Sequence, residues 1–352
     1  MQFRFVAQVL FATAVVALAC CDTSILSAQS GARLRKQRQF SYTTTNFHAV
    51  APDPAFAKKI ADEAERFRKE LAVLWLGEEL PTWREKCPIQ VSLSPHSGGE
   101  TSFAFMYNGN ERGEPSGWDM KVYGTPERIL DSVLPHEVTH TIFATHFRRP
   151  LPRWADEGAC TTVEHSTEKR KNHGMLLQFL TSQPSRGIPF NRMFTMREYP
   201  RDILTLYAQG FSVAKFLIMK KGRRHFVDYV GYGMANEQPG QETRAWDLAT
   251  EKFYGYSNLS ELQIRWERWV AQGSIETEIP GDAVVAKTAK NTLEPIQPKL
   301  DRPKPAPRET REGNLESLNQ GWYTKQMRLG KRSAESLDRP SETPKSTPNI
   351  WR

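Results

Sequence analysis

"LPHEVTHTIFATHFRRPLPRWADEGACTTVEH", residues 134–165, decides how this chain is read. It gathers His136, Glu137, His140, His146, Asp156, Glu157, Glu164 and His165, a denser set of metal-ligating side chains than any other stretch holds. Residues 136–140, "HEVTH", form an H-E-x-x-H pattern. In a helix, positions i and i+4 lie one turn apart on the same face, so His136 and His140 can grip one ion together. Glu137 sits about 100° round the helix, close enough to reach a metal-bound water without displacing a ligand. Leu134, Val138, Ile142 and Phe143 supply an apolar flank, which predicts a partly buried helix. Burying two imidazoles and a carboxylate there without a ligand or partner would be costly.

A catalytic zinc needs a third protein ligand and one open position. His146 lies six residues after His140, the spacing of the H-E-x-x-H-x-x-G-x-x-H pattern, but Phe143 stands where that pattern has its helix-breaking glycine. If the helix continues, His146 points about 120° away from His140. Glu157 is the better third ligand. "RRPLPR" ends the first helix, and "WADEGACTTVEH" predicts a second with Glu157 in its first turns. Glu164 follows two turns on, placed to hydrogen-bond a histidine ring from behind or to lie on a solvated face. Two imidazoles and a carboxylate suit zinc, which lowers the pKa of a bound water toward about 7 so that Glu137 can take its proton.

"HEVTH" followed by "LPRWADEGACTTVE" resembles the gluzincin metallopeptidases, in which a second helix carries W-x-x-E-G-x-x-x-x-x-E. The clan includes thermolysin, the aminopeptidase N-type enzymes and many secreted peptidase-MA-like proteins. The resemblance implies zinc ligands His136, His140 and Glu157, a general base Glu137, and Glu164 supporting a ligand from behind. It also implies a zincin-like fold. In "LYAQGFSVAKFLIMKKG" (206–222), Tyr207 and Gly210 resemble the Y-x-x-G segment of the aminopeptidase N-type enzymes, whose tyrosine stabilises the oxyanion. On its apolar stripe alone Tyr207 reads as core. Tyr229 and Tyr232 are the fallback donors. "NLSELQIRWERWV" (258–270) resembles the Leu/Trp helix that closes many peptidase-MA-like domains. No G-x-M-E-N motif precedes "HEVTH", so exopeptidase specificity does not carry over.

The rest of the chain sets the frame. At 352 residues and 39% hydrophobic, it can bury one substantial core or two small ones. Residues 1–21, with Arg4 ahead of an apolar run from Phe5 to Ala19, have the layout of a signal peptide and are short for a membrane span. Ala17-Leu18-Ala19 suits ordinary signal peptidase, whereas Leu18-Ala19-Cys20 resembles a lipoprotein site that would lipidate Cys20. Both predict an exported protein, periplasmic, envelope-bound or extracellular. Residues 22–46 read as a polar linker and 47–273 as the catalytic domain. Residues 274–352, rich in Pro and charge, read as a disordered tail.

Within the domain, Asp53 and Pro54 predict a helix start and Gly77 its stop. Strands are expected at 88–93, 101–107 and 118–124, with turns at "SGGE" and "NGNERGEPSG". Strands followed by helices predict an α+β fold, with a small sheet ahead of a mostly helical half. The strand at 101–107 or the one at 118–124 could be the edge that pairs with an extended peptide. Cys87 and Cys160 read equally as a disulfide or as two buried thiols. The net charge of +8 lies largely in "GARLRKQRQ" and the tail, with no base-reading scaffold, so nucleic acid is excluded as a partner. An anionic envelope surface suits the basic segments better. The expected activity is exported, zinc-dependent hydrolysis of peptide or protein substrates. The alternative is a non-catalytic, zinc-containing envelope protein that binds peptide or glycan.

Overall fold

The computed structural model describes residues 38–107 and 113–274. The expected signal segment 1–21, the lipid site at Cys20 and the tail beyond Ser274 lie outside the described residues. Five strands form one mixed sheet in the order β1-β2-β3-β5-β4, followed by a helical half. The architecture is mixed α/β.

Strand β1 (Phe40–Thr43) pairs antiparallel with β2 (Phe47–Ala51). It falls inside the stretch whose composition reads as linker. All four of its residues are exposed, so it carries no hydrophobic alternation, and only backbone pairing marks it as a strand. Helix α1 (Pro54–Leu76) then crosses over to β3 (Cys87–Leu93), which runs parallel to β2. Asp53 caps α1 by accepting from the Phe56 N–H at 2.9 Å, and Gly77 ends it in the left-handed conformation. Its buried stripe, with Phe56, Ile60, Ala64, Phe67, Leu71 and Trp75, follows the helical spacing of the sequence.

Strand β4 (Gly98–Met106) forms one edge of the sheet and pairs antiparallel with β5 (Glu114–Gly124). Gly98, Gly99 and Glu100, expected in a turn, belong to β4. β5 pairs parallel with β3. The register of β4 on β5 shifts between Ser102 and Ala104, a bulge in the middle of the edge strand.

After β5 the chain enters a short helix α2 (Pro126–Arg128), a π-type turn (Ile129–Val133) and α3 (Leu134–Phe147). There follow α4 (Arg153–Thr161), α5 (Ser166–Thr181), α6 (Phe190–Met193) and α7 (Ile203–Lys221). Helices α8 (Arg223–Ala235), α9 (Glu242–Tyr254) and α10 (Leu259–Ala271) complete the half. Leu259, Leu262 and Trp266 of α10 are buried as packing residues, and Trp269 packs against Phe216. Among the described residues, no helix is long and apolar enough to cross a membrane. Cys87 and Cys160 are both buried free thiols.

The helix expected to run through Glu164 is shorter. α4 stops at Thr161, and Thr162, Val163 and Glu164 follow in turns closed by bonds three residues back. The Thr161 and Thr162 hydroxyls bond the carbonyls of Glu157 and Ala159, so this β-branched run offers the backbone an alternative to further helix.

Two features fix α4. Trp154 is fully buried, its ring 4.1 Å from that of Phe194 and about 6 Å from those of Phe226 and Trp246. On α4 a Cβ at Gly158 would lie 2.3 Å from the Gly210 carbonyl oxygen of α7. The two helices therefore touch backbone to backbone. Gly158→Ala should destabilise the protein by about 1–3 kcal/mol. Gly174→Ala, on the exposed side of α5 with nothing within 4 Å, should stabilise it by about 0.5–1 kcal/mol. Urea unfolding of the two variants checks both signs; equal effects would contradict the close approach.

Candidate metal centre

Helix α3 turns Leu134, Val138 and Ile142 into the core, while His136, Glu137 and His140 open onto a cavity of about 530 Å³. The His136 and His140 rings stand 5.0 Å apart between centroids. Each ring has one nitrogen held from behind. Nδ1 of His136 lies 2.6 Å from Glu164 Oε1, and Nδ1 of His140 lies 2.8 Å from Asp156 Oδ1. These bonds fix the ring orientations and leave both Nε2 atoms facing α4.

There they meet Glu157. Its Oε2 is 3.4 Å from His136 Nε2 and 3.7 Å from His140 Nε2. The Glu157 side chain is 3% exposed, and Oε2 is a buried atom that makes no hydrogen bond. Its other oxygen, Oε1, accepts from the Tyr199 hydroxyl. A buried carboxylate oxygen without a donor, aimed at two imidazole nitrogens, fits a divalent cation between the three atoms.

A second grouping overlaps this one. His136, His140 and Cys160 present ligand atoms within 4.8 Å of one another and could hold a metal ion. Cys160 Sγ, however, approaches His140 at Nδ1, 3.4 Å away, the nitrogen that Asp156 already holds. Without metal, burial reinforced by Asp156 and Glu157 pushes its thiol well above the ordinary range. Glu157 Oε2 thus lies beside both Nε2 atoms, and Cys160 beside the Nδ1 of His140.

Glu137 points the other way, toward the sheet. Its Oε2 accepts from the Thr101 hydroxyl of β4 at 2.6 Å. Its Oε1 occupies the space beside Gly99, where a Cβ would come within 2.5 Å. Burial raises the pKa of Glu137, partly offset by His136, His140 and Thr101, the direction that suits a proton acceptor working near neutrality. Strand β4 lines the cavity from Gly98 to Phe103, with its outer edge unpaired among the described residues.

Tyr207 lines the cavity from α7, and burial beside Glu157 keeps its phenol protonated. Tyr229 shares a hydrogen bond with Thr250, and Tyr232 stacks under Lys252; neither lines the cavity. α3 continues through His146, whose ring packs on Phe147, 4.8 Å between centroids, outside the cavity lining. His165 caps α5. Asp156, Thr101, Gly99 and Tyr199 received no role from the sequence. Asp156 was detectable as the acid beside Glu157. The others come from an edge strand and a loop, where no periodicity points at the site.

Compared with known proteins, the chain matches no family model and no curated protein.

Without metal the site holds its charges by mutual compensation. Burial lowers the His140 pKa, but Asp156 and Glu157 outweigh it and leave the imidazole raised to about 9. Burial raises Glu157, yet His140 and His136 hold it down to about 2. The raised histidine contributes stability that is complete below its ordinary 6.5 and is lost as pH climbs through about 9. The depressed carboxylate contributes stability present above its ordinary 4.5 and lost as pH falls through about 2. The thermal midpoint of chelator-treated protein should therefore fall between pH 6.5 and 9. Zinc should remove that decline, because ligation requires neutral imidazoles. A metal-free midpoint that is flat across this window would contradict the charge arrangement.

Proposed function

We propose that this chain is a zinc-dependent metallopeptidase of gluzincin type, with His136, His140 and Glu157 as the ligands. One observation carries the reading: the buried, unbonded Oε2 of Glu157 lies 3.4 and 3.7 Å from the two Nε2 atoms. Two imidazoles and a carboxylate suit zinc and leave an open position. Bound there, zinc would act as a Lewis acid and lower the pKa of water toward about 7.

The chain's own groups divide the remaining work. Thr101 holds Glu137 at Oε2, which leaves Oε1 to accept the proton of the attacking water and pass it to the leaving amine nitrogen. Tyr207, neutral on the cavity wall, donates toward the oxygen on which negative charge develops. The free edge of β4 offers backbone donors and acceptors to an extended peptide, laying it beside Glu137. Phe103, Phe105 and Leu151 give the cavity an apolar stretch that excludes water. The apolar segment 5–19 supports an exported setting for this activity.

Zinc content and turnover of a casein-derived peptide mixture test the reading. Glu137→Gln should keep about one zinc per chain and lose about 10²–10⁴-fold in kcat. Tyr207→Phe should lose about 10²–10³-fold in kcat. Glu157→Ala should lose the zinc, whereas His146→Ala should not. Unchanged hydrolysis in Glu137→Gln would sink the mechanism. Zinc binding without hydrolysis of any peptide would favour a non-catalytic envelope protein.

A further inference from the structure

The two oxygens of Glu157 have different partners, and that difference needs a cause. A carboxylate turns about its terminal bond unless one oxygen is held. Oε2 has ion pairs with the two histidines but no hydrogen bond, so the directed bond that orients the carboxylate is made at Oε1. Its donor is the Tyr199 hydroxyl. Tyr207 also reaches Glu157, from the cavity wall.

Tyr199 packs against the core, and Arg153 holds both its ring and its hydroxyl. The guanidinium of Arg153 lies over its ring at 4.3 Å, and Nη1 donates to the phenol oxygen at 3.5 Å. Arg153 also ties down the loop that carries Tyr199. Its backbone N–H donates to the Met196 carbonyl at 3.1 Å, and its Nε donates to the Arg197 carbonyl at 3.0 Å. With the phenol oxygen accepting from arginine, its proton is directed onto Glu157.

The position of Arg153 argues the same way. It is the first residue of α4, where a cation faces the positive end of the helix dipole and is locally unfavourable. It stands four residues before Glu157, hence on the same helix face. Asp156 and Glu157, three and four residues on, attract the guanidinium along the helix, and its contacts with Tyr199 and the loop give it a second, directed role.

We propose that Tyr199, braced by Arg153, sets the orientation of the Glu157 carboxylate and belongs to the metal-holding apparatus. The proposal rests on Glu157 being a metal ligand. It makes Tyr199 and Arg153 positioning residues, separate in role from Tyr207.

Zinc affinity of the full-length apo chain, measured by competition with a chromophoric chelator, tests it. Tyr199→Phe should weaken zinc binding by about 10–100-fold at a temperature where its apo form is still fully folded, although loss of a donor to a buried carboxylate lowers the apo midpoint. Tyr207→Phe should lose far less affinity. Arg153→Lys, which keeps the charge but not the fork, should weaken binding in the wild type and add nothing in the Tyr199→Phe background. A Tyr199→Phe chain that binds zinc as tightly as wild type overturns the brace. So does an affinity loss seen only where the apo variant is partly unfolded, or an equal loss in Tyr207→Phe. Additive losses in the double variant detach Arg153 from it. A wild-type chain that takes up no zinc overturns the metal-site reading, and this proposal with it.

Discussion

An ionised carboxylate sealed in a protein interior must find compensating charge or donors, and Glu157 sets that requirement for the whole helical half. Among the groups around it are two imidazoles, the Tyr199 phenol and a supporting arginine, drawn from α3, α4 and the loop ahead of α7. Desolvation of such a group costs several kcal/mol. Here the penalty is met by opposite charge: the histidines stay protonated and the glutamate stays ionised when no cation is present. Three chain segments are thereby tied to one point, and the histidines are in turn tied to Glu164 and Asp156.

The packing serves that point. Gly158, next to Glu157, lets α4 lie directly on the α7 backbone, and Trp154 anchors the start of the helix among aromatic rings. On the other side, Gly99 and Thr101 make β4 small where Glu137 approaches and polar where it is held. A helix and an edge strand thus share the positioning of one acid, which links the sheet to the helical half at the cavity rather than only through the core.

Much of this was legible in the sequence, for local reasons. The helix containing "HEVTH" and α1 with its Asp53 cap follow from periodicity and end signals, which are properties of short windows. Residues 136, 137, 140, 157, 164 and 207 line one cavity. What stayed hidden depends on tertiary contact. β1 is exposed on every residue, so pairing alone makes it a strand. The end of α4 is set by competing threonine hydroxyls. Tyr199 lies 42 residues from Glu157 on an irregular loop, and only the fold brings them together.

The bulge between Ser102 and Ala104 divides β4 into two lengths that can vary separately. The first, Gly98–Ser102, is locked to β5 in a register that sends Thr101 toward Glu137; a slip of one residue there would turn Ser102 inward in its place. The second, Ala104–Met106, follows its own register with Ser116, Pro115 and Glu114. A change of register in the second length can be taken up at the bulge while Thr101 keeps its place beside Glu137. The strand acts as a ruler with a fixed end and an adjustable one, so the reach of the groove can be altered without retuning its chemistry.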